Sequence, residues 1–359
     1  NGKGYRILII IVATILCRHI YVTDKLKNMK LSLLLPPKYD ERKWTLSCQI
    51  GVNYVITKAM PELSGREAPY DLESLKAIQA EFKEAGFVLY GLEGDQFDMS
   101  PIKLGLPGRD ELIEKYKQMI RNMGQLGINL LCYNFMAVTG WYRSKTDYLE
   151  RGGALTSEFN LKVMENDLVP EEFRISEEKL WKNLFYFLDE VMPVAEECGV
   201  KMALHPDDPP VSPFRGVGRI LTSAAAYEKI LEHYPSPSNG IAFCQATFKT
   251  MNEDLKAVSK KWIKEGKIFF IHLRDIAGDV NCFHETFIDN GPTPMAEMIK
   301  HYHDCGFDGI IRSDHAPAMY GEAHQTFTGG ISAGYDMQGH IFAVGYIKGI
   351  CEANGISLE

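Results

Sequence analysis

Short apolar, β-rich runs recur along the chain at Leu31 to Leu35, Asn53 to Thr57, Phe87 to Leu92, Ile128 to Phe135, Val200 to His205, Gly240 to Cys244, Ile268 to Leu273 and Gly309 to Asp314. Their apolar character is continuous rather than alternating, the pattern of strands covered on both faces. Between most of them the apolar positions switch to a helical spacing, as in Leu72, Leu75, Ile78 and Phe82 or Leu112, Ile113, Tyr116 and Ile120. That spacing gives each helix one apolar face. Ala85-Gly86-Phe87, Leu126-Gly127-Ile128, Cys198-Gly199-Val200 and Cys305-Gly306-Phe307 each set a glycine between a helical pattern and the next strand, where a left-handed residue ends the helix. Eight such units with no Pro/Ser-rich linker predict an α/β fold, a single (β/α)8 TIM barrel. An open doubly wound sheet would carry a glycine-rich phosphate turn after an early strand. Gly105-Leu-Pro-Gly-Arg109 is too poor in glycine for that and reads as a loop and helix start.

The barrel is expected over residues 29–359. Residues 1–28 form an extension whose run from Tyr5 to Cys17 is apolar behind a few basic residues. That run resembles the core of a signal peptide, which leaves an exported form open, but it falls short of a membrane span. The favoured alternative is a coding region that begins at Met29, with a cytoplasmic protein that has no membrane partner. The net charge of −8 is dispersed and no dense Lys/Arg run occurs among the 359 residues, so nucleic acid is not an expected partner. Eight cysteines stand singly, with no Cys-x-x-Cys pair, which predicts reduced and mostly buried thiols.

Chemistry gathers at the strand ends, which in a barrel open onto one mouth. The last four strands end in Leu204-His205-Pro, Phe243-Cys244, Ile271-His272-Leu273-Arg274 and Arg312-Ser-Asp314-His315. His205, Cys244, His272 and Asp314 together make a donor set for a divalent transition metal. A closed structural zinc site would need no reactive neighbours, whereas Asp207, Asp208, Arg274, His315 and Tyr335 crowd this one. Crowding of that kind favours a working site. Two connections, Ala137 to Pro170 with Trp141, Tyr142, Arg143 and Tyr148, and His315 to Tyr335, exceed ordinary loop lengths. Either is expected to cover the mouth or to form an oligomer contact.

The chain resembles the mannonate dehydratases of hexuronate catabolism. The resemblance runs through Ile102-Lys-Leu-Gly-Leu-Pro-Gly-Arg-Asp110, Ile120-Arg-Asn-Met-Gly124, Cys132-Tyr-Asn-Phe-Met136, Leu204-His-Pro-Asp-Asp-Pro-Pro210, Ile271-His-Leu-Arg274, Phe283-His-Glu285, Ser313-Asp-His315 and Gly334-Tyr335. It implies a barrel with a divalent metal, commonly manganese, on His205, Cys244, His272 and Asp314, with iron(II) or another first-row ion as alternatives. It further implies acid/base roles at His315 and Tyr335, dehydration of D-mannonate to 2-dehydro-3-deoxy-D-gluconate, no redox cofactor, and a homo-oligomer. A tyrosine base needs nearby positive charge to bring its pKa down from about 10, for which Arg274 and the metal are candidates; His315 would then protonate the departing hydroxyl, and the two roles can be exchanged.

Lys103, Asn134, Arg274, His284 and Arg312 are candidate partners of the sugar-acid carboxylate and hydroxyls. His324 and His340 read as loop or helix-surface residues. The chain departs from the family at Leu33-Leu-Leu-Pro-Pro37, where an Arg-Trp segment is usual, and at Ala246 and Ala316, where glycine is usual. These changes bear on the substrate pocket and not on the metal shell. The competing readings are a metal-dependent sugar isomerase or epimerase on the same barrel, and a non-catalytic, metal-containing barrel that binds a sugar acid.

Overall fold

The computed structural model describes residues 28–322 and 334–359. The apolar run at 5–17, His324 and most of the connection leading to Tyr335 lie outside the described residues. Eight parallel strands close into a barrel: β1 (Lys30–Leu34), β2 (Tyr54–Thr57), β3 (Val88–Glu93), β4 (Leu130–Tyr133), β7 (Lys201–Leu204), β8 (Asn239–Cys244), β9 (Ile268–Leu273) and β12 (Ile310–Ser313). Each coincides with one of the apolar runs. Strands β4 and β8 are buried along their whole length, which is why no alternation marks them. Closure is made by β1 on β12, with Lys30 opposite Ile310 and Ser32 opposite Arg312.

Helices on the outside bury the predicted faces. Leu75, Ile78 and Phe82 of helix Leu72–Glu84 are buried, as are Ile113, Tyr116 and Ile120 of helix Arg109–Leu126. Side chains such as Asp71, which accepts from the Ser74 amide at 2.8 Å, satisfy the first turn. Gly86, Gly127, Gly199 and Gly306 all have φ between 66° and 97°, the left-handed backbone expected at those four junctions. One apolar core fills the space between helices and barrel, and a smaller one inside the barrel contains Ile56, Leu130, Ala242, Phe270 and Ile310.

The structure adds an element that the apolar pattern does not reveal. Strands β5 (Lys145–Leu149), β6 (Leu155–Asn160), β10 (Ile276–Asp279) and β11 (Cys282–Glu285) form a separate antiparallel sheet in the order β10-β11-β6-β5. It is built from the connections after β4 and β9. Phe159, Met164, Phe214, Ala246, Ile276 and Phe283 form its own core. The side chain of Ala246, one of the departures from the family, is thus packing material for this cap.

Two expectations need correction. The described cysteines are free, but only Cys132, Cys244 and Cys351 are buried; Cys198 and Cys305 are half-buried and Cys48 and Cys282 exposed. His340 is 3 % exposed rather than on the surface. It belongs to helix Met337–Ala353, bonds Ser313 Oγ through Nδ1 at 3.0 Å and Gly334 O through Nε2 at 3.0 Å, and stacks near Tyr335. Among the described residues no helix is long and apolar enough to cross a membrane.

Candidate active site

Register brings the site together. Cys244 on β8 lies opposite His272 on β9, and His272 lies opposite Arg312 on β12, so three consecutive strands present these side chains at one level. His205 follows β7 directly, its amide donating to Tyr133 O at 2.7 Å, and Asp314 follows β12, its amide donating to Leu273 O at 3.2 Å. Ligand atoms of His205, Cys244 and His272 all lie within 4.8 Å of one another. Asp314 Oδ2 is 3.6 Å from His272 Nδ1.

These residues fit a divalent cation. Both ring nitrogens of His272 are buried without a hydrogen-bond partner, a costly state unless a ligand meets one of them. His205 engages Pro206 O through Nδ1 at 2.8 Å, which leaves Nε2 as the electron-pair donor. Thr247 Oγ1 donates to Cys244 Sγ at 3.1 Å. Burial pushes the Cys244 thiol up to about 11, with Arg274 acting against it, while burial holds His205 and His272 below the ordinary histidine range, hence neutral. Glu93, Cys132 and His272 form a second close grouping. There, however, both Glu93 oxygens accept from Arg312, so the set with His205 and Cys244 is the better cage.

Above this cluster lies a cavity of about 130 Å³, lined among others by Asn134, Trp141, Arg312, Asp314, His315 and Tyr335. Tyr335 donates its hydroxyl to Asp314 Oδ1 at 2.6 Å, and Arg312 Nη2 reaches Asp314 Oδ1 at 2.7 Å and the Tyr335 hydroxyl at 3.4 Å. Burial and the Asp314 carboxylate push the Tyr335 phenol well up, against the opposing charge of Arg312. Burial alone would raise Asp314, yet the Arg312 and Arg274 guanidiniums hold it well below the carboxylate range. His315 adopts a left-handed φ of 43°. Gly334 packs so closely behind it that a Cβ there would lie 2.9 Å from the His315 Cα.

His315 Nδ1 stands 2.6 Å from Arg274 Nη1 and 3.1 Å from Glu285 Oε1. Arginine can only donate, so the shorter contact makes Nδ1 an acceptor and puts the ring proton on Nε2. The positive group beside Tyr335 is therefore Arg312, while Arg274 stands behind His315.

Of the expected substrate-facing residues, Asn134 and Arg312 line the cavity. Lys103 is buried behind it, bonded to Asp95 at 2.7 and 2.9 Å and to Asn134 Oδ1 at 2.9 Å. Arg274 is turned to Asp208 and His315. His284 sits in the cap, stacked on Tyr148 and 3.7 Å from Glu150. Glu93, Glu285 and Trp141 are site residues that the sequence reading did not assign. Glu93 had a usable signal, as a carboxylate closing the third apolar run; Glu285 reaches the site on cap strand β11 and Trp141 from the irregular segment before β5, neither of which the pattern reveals.

A sequence model described as D-mannonate dehydratase (UxuA) matches residues 48–173 and 169–357. The chain belongs to the D-mannonate dehydratase family. Mannonate dehydratase 2 of Halalkalibacterium halodurans is 36% identical over 296 residues, covering 74% of this chain and 83% of that relative. The crystal structure of mannonate dehydratase from Streptococcus suis serotype 2 superposes with a TM-score of 0.81 at 31% identity, covering 92% of this chain and 97% of that one. D-psicose 3-epimerase from Clostridium cellulolyticum H10 shares the fold at a TM-score of 0.57 and 13% identity, covering 90% of this chain and 99% of that one. Family and barrel fold are thus supported by sequence and by structure alike.

Proposed function

We propose that this cavity dehydrates D-mannonate to 2-dehydro-3-deoxy-D-gluconate, with His205, Cys244, His272 and Asp314 holding the cation. The observation that carries the reading is the convergence of His315 and Tyr335 on Asp314, directly above that donor set. When bound, a divalent cation supplies positive charge that stabilises the negative charge left on the substrate carboxylate as C2 loses its proton, and offsets the Asp314 charge that keeps the proton on Tyr335. Manganese is the ion we propose, since a mixed N, S and O shell accepts several first-row ions and the resemblance favours that one.

Tyr335, its phenol proton released to solvent as cation and substrate bind, receives the C2 proton as phenolate, assisted by Arg312. His315 gives its Nε2 proton to the departing 3-hydroxyl, which leaves as water, and the Arg274 cation on Nδ1 offsets the negative charge left on the ring until it is reprotonated. The enol so formed releases its C2 hydroxyl proton as it takes up a proton at C3, and becomes the 2-keto acid. Asn134 and the Trp141 indole N–H, buried and without a partner, bind substrate hydroxyls. The free thiols support a reducing, cytoplasmic setting. An open groove of about 670 Å³ lined by Phe287, Met319, Tyr320 and Phe342 supports self-association, which sedimentation would test.

The test is formation of the 2-keto-3-deoxy acid from D-mannonate by metal-stripped protein with manganese added back. Manganese-dependent product is expected, slowed roughly 100–10,000-fold in His315→Asn; no product from loaded protein sinks the reading. With D-mannonate deuterated at C2, His315→Asn is expected to retain exchange with solvent and Tyr335→Phe to lose it. The opposite pattern exchanges their roles.

A further inference from the structure

Arg143 lies in the segment leading into the cap strand β5, and its side chain is fully buried. Its guanidinium forks onto Asp208, with Nη1 to Oδ1 at 2.6 Å and Nη2 to Oδ2 at 3.0 Å, and Nη2 also donates to Glu285 Oε1 at 2.6 Å. Both carboxylates are shared with Arg274, which donates from Nη2 to Asp208 Oδ2 at 2.7 Å and brings Nη1 to 3.5 Å from Glu285 Oε1. The same Nη1 is the group 2.6 Å from His315 Nδ1. Asp208 comes from the loop after β7, Glu285 from cap strand β11 and Arg274 from the end of β9, so Arg143 ties three separate segments behind one imidazole.

The consequence concerns which ring nitrogen carries the proton. Glu285 Oε1 is only 3.1 Å from His315 Nδ1, and a carboxylate there is a competing acceptor that would draw the proton to Nδ1. The Arg143 fork occupies that oxygen and anchors Asp208, which in turn fixes the direction of the Arg274 guanidinium. Charge-assisted, bidentate bonds of this kind hold geometry as well as charge. Trp141, which packs edge-on to His315 with ring centroids 5.1 Å apart, is braced by the same guanidinium 4.6 Å from its ring.

We propose that Arg143 is a positioning residue of the reaction: by holding Asp208 and Glu285 it keeps Arg274 on Nδ1 of His315, and so keeps the ring proton on Nε2. The inference rests on the reading of His315 as a participant in the dehydration. Arg143 itself touches neither that ring nor the proposed metal ligands; it acts through Arg274 and Glu285.

The experiment is a double-mutant cycle on the manganese-loaded full chain, with kcat and KM for D-mannonate measured for wild type, Arg143→Met, His315→Asn and the double variant, and bound manganese quantified in each. Arg143→Met is expected to lower kcat roughly 10–100-fold, part of the contribution of a general acid, with KM within about threefold and manganese content unchanged. In the His315→Asn background the same change is expected to cost less than about threefold, because the residue it acts through is gone. An equal loss in both backgrounds, or an effect confined to KM, overturns the inference and leaves Arg143 a purely structural buried cation. Where Arg143→Met does not fold, Arg143→Lys, which keeps a charge without the fork, is judged by the same two comparisons. Full kcat in His315→Asn would overturn the reading of His315 and this inference with it, whereas a strongly slowed His315→Asn beside unaffected Arg143 variants overturns the inference alone.

Discussion

Trp141 brings an indole N–H to the cavity wall, buried and without a protein partner, and a hydrogen bond to a substrate hydroxyl would satisfy it. Trp141→Phe keeps the ring against His315 and removes only the donor. It is expected to raise the KM for D-mannonate about tenfold, the weight of one such bond, with a smaller change in kcat; an unchanged KM by steady-state kinetics would remove Trp141 from the substrate contacts. The gathering of His205, Cys244, His272 and Asp314 was legible in the sequence because each closes an apolar run, and a barrel sends all such ends to one mouth. The roles of the arginines were not. Arg312 and Arg274 look like free carboxylate binders until the fold surrounds them with Glu93, Asp314, Asp208 and Glu285, of which Glu93 and Asp208 lie far away in sequence. His340 was misplaced for a different reason: the stretch Ile341 to Ile350 is apolar nearly all round, so periodicity could not say which side of its helix faces the barrel.

At the scale of elements, the eight barrel strands were readable because burial on both faces writes an unbroken apolar run, whereas cap strand β5 alternates exposed with half-buried positions, β6 mixes half-buried with buried ones, and the two carry Lys145, Asp147 and Glu158. The pairing that joins the sheet, β6 on β11, brings in a strand from a connection more than a hundred residues later, so no local pattern announces the four-stranded sheet. The cap delivers Arg143 and Glu285, and its integrity should therefore matter to turnover before it matters to the barrel. Phe159 is fully buried in the cap's own core. Phe159→Ala, a change that costs about 3–5 kcal/mol at well-packed sites, is expected to accelerate hydrogen exchange selectively in β5, β6, β10 and β11 and to lower kcat, while β8 and β9 keep their protection. A uniform loss of protection throughout the barrel, measured by mass spectrometry, would contradict an independently packed cap.

For the whole molecule, His340 links stability to pH. Burial depresses its pKa to about 4, with nearby Arg312 also lowering it and Asp314 opposing, against about 6.5 when unfolded. The neutral ring therefore favours the folded state: its contribution is fully present above about pH 6.5 and is lost as pH falls toward 4. Between pH 7 and pH 5 the loss is about 2 kcal/mol. His340→Gln, which does not titrate, is expected to show a flatter fall in unfolding free energy over that interval by about this amount, read from urea midpoints; equal slopes would show that the ring is not held neutral.

The proposed cation donors are distributed over β7, β8, β9 and the end of β12, so no fragment that stops short of the last barrel strand contains the carboxylate. During synthesis the imidazoles and the thiolate emerge first, and Asp314 reaches them only when β12 docks beside β9. If these four residues hold the ion, its capture would work as a length check on the nascent chain: a ribosome product truncated before residue 314 would offer an incomplete set, and finished barrels alone would retain the metal.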